Sequence, residues 1–194
     1  MPSPTDTTER ARLRRELRAR RRQLSPRQQR SAARHLALAL SRLPLLRCAR
    51  RIALYWPVDG EIDARPLRRQ RGLRQRQFYL PVLQAFPPDT LRFRHWTGHR
   101  MARNRFGIPE PRRGRALPAR AMDAILLPLT GFDRRGNRLG MGGGFYDRTL
   151  AFHRHGLPRP RLVGVAHHCQ EVPALPAAPW DIPLHMIVTD RACY

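Results

Sequence analysis

Among the arginines that open the chain, Leu13, Leu17 and Leu24 recur at helical spacing, which predicts an amphipathic helix over residues 8–23 with a narrow apolar stripe. Ser25-Pro26 then supplies a capping side chain followed by proline at the first helical position. Ala33, Leu36, Ala37, Leu40 and Leu43 continue a second apolar face. From Arg51 the period changes. Ile52 to Trp56 is a short apolar run stopped by Pro57, the pattern of a buried strand feeding the loop Pro57 to Asp63, with a helix expected after Ala64. Gln77 to Leu83 and Leu91 to Trp96 read as strands on either side of Pro87-Pro88. Asp123 to Leu127 is the most apolar strand candidate, and Leu162 to Ala166 and Met186 to Thr189 complete the set.

Strands interspersed with helical segments predict an α/β fold, an open and largely parallel sheet with flanking helices. The length of 194 residues, with no repeats and no dividing linker, predicts a single domain spanning 1–194, with residues 1–9 as a flexible tail. No apolar run reaches the roughly 20 residues of a membrane span, and the N-terminus lacks a secretory apolar stretch. A cytoplasmic protein is expected. Cys48, Cys169 and Cys193 have no C-x-x-C spacing and read as structural thiols.

A net charge of +24 changes the picture, because such a field attracts phosphates and carboxylates. Residues 1–51 hold fifteen arginines against three acids, half of that charge, and a basic nucleic-acid-binding module is the rival reading. Yet all 38 basic residues are arginine, a bias that weakens any inference from their number. Neither an RNP1 pattern nor a zinc-finger spacing is present. On charge alone, Arg12, Arg15, Arg18 and Arg20 to Arg22 read as a solvated helix face.

The candidate chemistry lies in Phe132 to Arg148. Five of the 13 glycines fall between positions 136 and 144, just before an expected helix from Phe145. Bare backbone there can approach a ligand and aim N–H groups at an anion. Glycine clusters also form plain loops, and neither Walker A nor G-x-G-x-x-G is matched in context, so on the glycines alone both readings stand. Arg138 can fork onto phosphate oxygens. Asp147 can meet a bridging magnesium ion, cap the helix or pair with Arg148.

The string Arg-Leu-Gly-x-Gly-x-Gly-Phe-Tyr-Asp-Arg at 138–148 resembles the signature of the 5-formyltetrahydrofolate cyclo-ligase family, bacterial type. Gly60 to Asp63 resembles its Gly-Glu-Ile-Asp motif and Asn104 to Pro111 its Asn-x-Phe-Gly-Ile-x-Glu-Pro motif. Gly164-Val165-Ala166, Gln170, Pro173 and Trp180 to Leu184 are similar to the family's final segment.

The resemblance implies a Rossmann-like cyclo-ligase fold and the ATP- and Mg²⁺-dependent conversion of 5-formyltetrahydrofolate into 5,10-methenyltetrahydrofolate, with release of ADP and phosphate. In that reaction ATP phosphorylates the formyl oxygen and N-10 attacks the activated carbon. The implied partners are ATP and the folate, mono- or polyglutamylated. A monomer is expected, with no membrane and no specific nucleic acid. By motif position, ATP would be held by Arg10, Arg14, Arg138, Leu139, Gly140, Met141, Gly142, Gly143, Gly144, Phe145 and Tyr146. Arg138 and Tyr146 would form the catalytic group. The folate would meet Trp56, Glu61 and the stretch Met141 to Phe145, and Asp147 and Asp181 would bind the metal. Arg10 stands where the family has lysine, replacing a compact ammonium with a planar fork. For Trp56 the competing role is core packing, and for Glu61 a solvated loop position. His167-His168 reads as a structural or exposed pair rather than a metal site, because neighbours on an extended chain point to opposite faces. Asp133 and Asp123 read as turn and strand-edge residues.

Overall fold

The computed structural model describes residues 4–155, 160–176 and 181–194. Helix α1 (Pro4–Arg22) starts earlier than residue 8, so residues 4–9, expected in a tail, belong to its first turns. Proline suits that start, since its missing N–H removes no intrahelical bond. Leu13 and Leu17 carry the narrow stripe into a small core with Leu139, Val172 and Leu175. Helix α2 (Pro26–Arg42) begins on a capping box: Ser25 Oγ accepts from the Gln28 amide at 3.3 Å, and the Ser25 amide donates to Gln28 Oε1 at 2.8 Å. Its buried face, Ala32, Ala33, Leu36, Ala37 and Leu40, covers one side of the sheet. A short helix α3 (Pro44–Cys48) leads into the first strand.

The main sheet contains β1 (Arg51–Ala53), β2 (Gln77–Leu83), β3 (Leu91–His95), β6 (Ala116–Leu117), β7 (Ala124–Pro128), β10 (Arg161–Ala166) and β11 (Met186–Thr189). Its order is β11-β10-β7-β1-β2-β3-β6. The first five in that order are mutually parallel, and β3 and β6 form an antiparallel edge. Two hairpins lie outside it: β4 (Met101–Arg103) with β5 (Pro109–Pro111), and β8 (Gly131–Phe132) with β9 (Arg138–Leu139). Strand alternation sends neighbours to opposite cores. Ile52, Leu54 and Leu126 join the α2 side, whereas Ala53, Ile125 and Leu127 join the other.

Two expectations need correction. The first strand ends at Ala53 rather than Trp56. Leu54 still donates to Tyr79 O at 2.9 Å, after which the chain leaves the sheet toward Pro57. The helix expected after Ala64 is two 3₁₀ turns, Arg65–Arg69 and Arg71–Leu73, separated by Gln70 in an extended conformation. Leu67 and Leu73 are buried beneath them.

This topology positions the site. The chain steps from β1 to β2 on one side and returns to β7 on the other, so the connections diverge where the C-terminal ends of β1 and β7 lie together. Such a switch point opens a crevice in parallel α/β sheets. Among the described residues, no helix is long and apolar enough to cross a membrane.

Candidate active site

A cavity of about 700 Å³ opens at those strand ends. Its walls come from α1, the loop after β1, the glycine loop 140–144 with the short helix α4 (Phe145–Thr149), and the β4–β5 hairpin. The sequence-derived residues Arg10, Arg14, Trp56, Glu61, Arg138, Gly140 to Asp147 and Asp181 all line it. Leu139 does not: its side chain is fully buried against Leu13 and Leu17, leaving only its backbone near the loop. Trp180 lies outside the described residues.

The aspartates stand as arginine pairs. Arg10 donates through Nη1 and Nη2 to Asp181 at 3.0 and 3.1 Å, and to Pro176 O at 2.6 Å. Arg138 pairs with Asp147 and sends its Nε–H to Ile182 O at 3.0 Å, tying the glycine loop to the C-terminal segment. Arg14 donates to Gly140 O at 3.0 Å. Burial lowers the Arg14 pKa, as does the nearby Arg10 charge, while Asp181 opposes the shift. Asp147 is not the cap of α4, since Gly144 occupies that position.

The loop itself is open backbone. Gly142 and Gly144 have φ of +101° and +67°, a region that side chains rarely adopt. A Cβ on Gly140 would meet nothing within 4 Å, whereas Cβ atoms on Gly142, Gly143 and Gly144 would meet the side chains of Arg14, Phe145 and Arg148. Helix α4 starts at Phe145, where the sequence predicts a helix, and spans five residues.

Opposite lies the loop after β1. Glu61 is 6% exposed and accepts the Val58 amide at 3.1 Å. Burial pushes its carboxyl up to about 7 against that hydrogen bond and the Arg21 charge. Tyr55 donates to Ile62 O, and its pKa is raised by burial and then by Glu61. Tyr146 is shifted upward by the same two causes, so both phenols remain protonated donors at neutral pH. Trp56 is half-buried, with the Arg65 guanidinium 4.1 Å from its ring centroid and Trp96 edge-on at 6.3 Å. It both packs on the core and borders the cavity.

The solvated-face reading of α1 fails for Arg21 and holds only in part for Arg18, which is half-buried, whereas Arg22 stays exposed although it pairs with an acid. Arg21 is fully buried, and Arg18, Arg21 and Arg22 converge on Asp59, two residues before Glu61. Partial burial pushes the Asp59 carboxyl up, but hydrogen bonds from Arg18 and Arg22 outweigh it and hold the pKa below its usual value. Of the helix arginines, Arg10 and Arg21 are buried, whereas Arg12, Arg15, Arg20 and Arg22 remain exposed. Asp123 accepts both the Arg50 and Arg51 amides at 2.9 Å at the strand edge. Asp133 accepts three bonds within its own turn, from the Arg135 and Asn137 amides and Asn137 Nδ2, plus the Leu175 amide at 2.9 Å. Tyr55, Asn104, Phe106, Glu110 and Arg148 also line the cavity and were not singled out as site residues. Of these, Asn104, Phe106 and Glu110 sit in a recognised motif whose turn chemistry was the available signal.

A magnesium ion fits the donor set. Mg²⁺ is commonly bound by one or two carboxylates completed by phosphate oxygens and water. Asp147 and Asp181 face one cavity, and no cluster of three or more His, Cys, Asp or Glu suited to an all-protein site occurs among the described residues.

Comparison with known proteins identifies the family. The model of the 5-formyltetrahydrofolate cyclo-ligase family matches residues 6–190. The 5-formyltetrahydrofolate cyclo-ligase of Escherichia coli (strain K12) is 40% identical over 176 residues, 89% of this chain and 96% of the relative. That of Haemophilus influenzae is 40% identical over 186 residues, covering 94% and 98%. The solved 5,10-methenyltetrahydrofolate synthetase of Aquifex aeolicus superposes with a TM-score of 0.80 at 30% identity, over 95% of this chain and 91% of the other. The Mycoplasma pneumoniae synthetase shares the fold, with a TM-score of 0.71 at 24% identity over 94% and 99% of the two chains.

Proposed function

The chain belongs to the 5-formyltetrahydrofolate cyclo-ligase family, and we propose that it works on ATP and the folate in the cavity at the ends of β1 and β7. Its reaction is the conversion of 5-formyltetrahydrofolate into 5,10-methenyltetrahydrofolate. The observation that carries the site assignment is the meeting, in one cavity, of an arginine–aspartate wall with a buried carboxylate and aromatic wall.

ATP supplies the phosphoryl group that turns the formyl oxygen into a leaving group. The chain's task is then positioning and charge neutralisation rather than nucleophilic attack. Arg10, Arg14 and Arg138 line the cavity with the glycine loop, where phosphate oxygens can replace the carboxylates that Arg10 and Arg138 hold and the Gly140 carbonyl that Arg14 holds. Asp147 and Asp181, released from those pairs, would hold Mg²⁺, which would neutralise phosphate charge. Gly140 to Gly144 leave the backbone bare for close approach. Tyr146 keeps its proton and can donate to an oxygen near the loop. Glu61 and Trp56 receive the pterin, the carboxylate accepting from its ring N–H groups and the indole forming a wall. N-10 is thereby held against the activated carbon. Its attack forms the new C–N bond, N-10 gives up its proton, and the C–O bond breaks as phosphate departs with that proton and the former formyl oxygen.

The test is absorbance of methenyltetrahydrofolate on mixing purified protein with 5-formyltetrahydrofolate, ATP and magnesium. Product that requires both ATP and magnesium is expected. Folded protein that yields none would defeat the assignment.

A further inference from the structure

Glu61 stands on a tight turn whose conformation needs support. The Glu61 amide donates to Val58 O at 3.0 Å and the Glu61 carboxylate accepts the Val58 amide at 3.1 Å, closing four residues from both sides. Asp59 and Gly60, the two central residues, have φ of +52° and +76°, the positive values of a type I′ turn. Glycine adopts that region freely, whereas aspartate does so under mild strain. Helix α1 supplies the support. A Cβ on Gly60 would meet Arg21 O at 3.6 Å and Arg21 Cγ at 3.7 Å, so the turn lies against the end of the helix.

Three arginines meet Asp59, but they hold it differently. Arg18 and Arg22 reach only its carboxylate. Arg21 sends Nε–H to the Asp59 carbonyl at 2.8 Å and Nη2–H to the carboxylate at 3.0 Å. A planar fork that grips both the backbone and the side chain of one residue fixes the direction of the turn as well as its charge. Arg21 Nη2 also approaches Met141 Sδ at 3.5 Å, which leaves the guanidinium one side chain short of the cavity that Met141 lines. Stability alone does not account for this arginine. It is fully buried, its Nη1 has no hydrogen-bond partner among the described residues, and the carboxylate it holds already has two other guanidinium partners. Desolvating a charge under those conditions is costly, and an apolar side chain of similar volume often serves stability as well.

We infer that Arg21 is a positioning residue, which sets the turn from Val58 to Glu61 so that the Glu61 carboxylate meets the pterin at the required angle. It acts through Asp59 and touches no substrate. This rests on the folate reading of the cavity given above. It gives the buried guanidinium of Arg21 a task that its exposed neighbours Arg20 and Arg22 do not share.

The experiment compares wild type, Arg21→Met, Arg21→Lys and Arg22→Ala by steady-state kinetics, thermal melting and amide hydrogen exchange across residues 58–61. Arg21→Met leaves Asp59 paired with Arg18 and Arg22, so the melting temperature should hold. Its KM for 5-formyltetrahydrofolate should nevertheless rise about tenfold, with KM for ATP within about twofold of wild type. Exchange at the Glu61 amide should quicken by about tenfold. Arg21→Lys keeps the charge but loses the fork, and should recover at most part of the folate KM. Arg22→Ala removes a carboxylate contact alone and should stay within about twofold of wild type. An unchanged folate KM in Arg21→Met would overturn the inference, whatever its melting temperature. Equal rises in both KM values, or an Arg21→Lys variant that matches wild type, would do the same. If Arg21→Met does not fold, Arg21→Lys against Arg22→Ala makes the comparison. Quickened exchange in Arg21→Met beside a wild type that makes no product would sink the activity and leave the positioning of the turn standing. Normal product formation with an unchanged folate KM in Arg21→Met would do the reverse.

Discussion

On the glycine-loop side of the cavity, Asp147 and Asp181 each hold an arginine, and the four partners lie at the edge of open backbone. On the β1 side, Glu61 sits almost wholly buried, accepting the Val58 amide, and its carboxyl is pushed up to about 7. The first wall is charged on both signs and ready to exchange partners, because phosphate and a cation can replace each half of every pair. The second is rigid, low in dielectric and selective, since a buried acceptor left without its ligand's N–H groups is penalised. Under the proposed function, the difference would suit two substrates, one a polyanion and the other a flat ring rich in donors.

The largest effect should come from breaking the first wall. Asp147→Asn and Asp181→Asn keep shape but remove the charge that would hold magnesium, and turnover should fall by about a hundredfold. Raising magnesium should recover part of it, and the melting temperature should move little. Turnover beside melting temperature at several magnesium concentrations decides this. Near-normal activity in both variants would sink the metal site.

Next comes the second wall. Glu61→Gln should raise KM for folate by about tenfold and leave KM for ATP unchanged. In the wild type, folate KM should rise as pH falls through about 7, where Glu61 takes up a proton, and this step should vanish in the variant. The sign for stability is opposite. The folded carboxyl titrates near 7 instead of 4.5, so the native state binds the extra proton and stability falls as pH rises between those values. Glu61→Gln should therefore gain up to about 3 kcal/mol over wild type above pH 7 and nothing below pH 4. Denaturation at pH 4 and pH 8 measures it, and equal shifts at both would refute the buried-carboxylate account.

A smaller effect tests exchangeability at Arg10. Arg10→Lys should retain activity with one hydrogen bond to Asp181 in place of two, while Arg10→Ala should raise KM for ATP about tenfold. An unchanged ATP KM in the alanine variant would return α1 to a structural role. The smallest change is Gly144→Ala. The new Cβ would meet Arg148 Nη1 at 2.6 Å, the movable end of a side chain, so the main cost is φ +67°, about 1 kcal/mol of stability by thermal melting. A loss well beyond that would mean Arg148 cannot yield.

Local patterns reached far into this molecule. Strands β2 and β11 appear with the boundaries read from the sequence, because continuous apolar runs bounded by turns have few other ways to be buried. The Ser25-Pro26 start of α2 and the bare glycine loop were legible for the same reason: both are decided within a few residues. Motif resemblance brought Arg10, Arg14, Glu61, Asp147 and Asp181 into view before any geometry. It marked Asn104 to Pro111 as a motif but gave Phe106 no place in the site, because that placement depends on a hairpin between strands of only three residues, too short to show a period.

What the chain determined alone, then, is where backbone is buried, capped or left bare, since those preferences act between near neighbours. Only the tertiary structure decided who meets whom. Arg10 reaches Asp181 across 171 positions, and three arginines of an apparently solvated helix close on Asp59. Leu139 turns into the core while the next residue faces the cavity. Ion pairs and cavity walls form when distant segments pack, and arginines of equal sequence character acquire different partners from the surface on which they land.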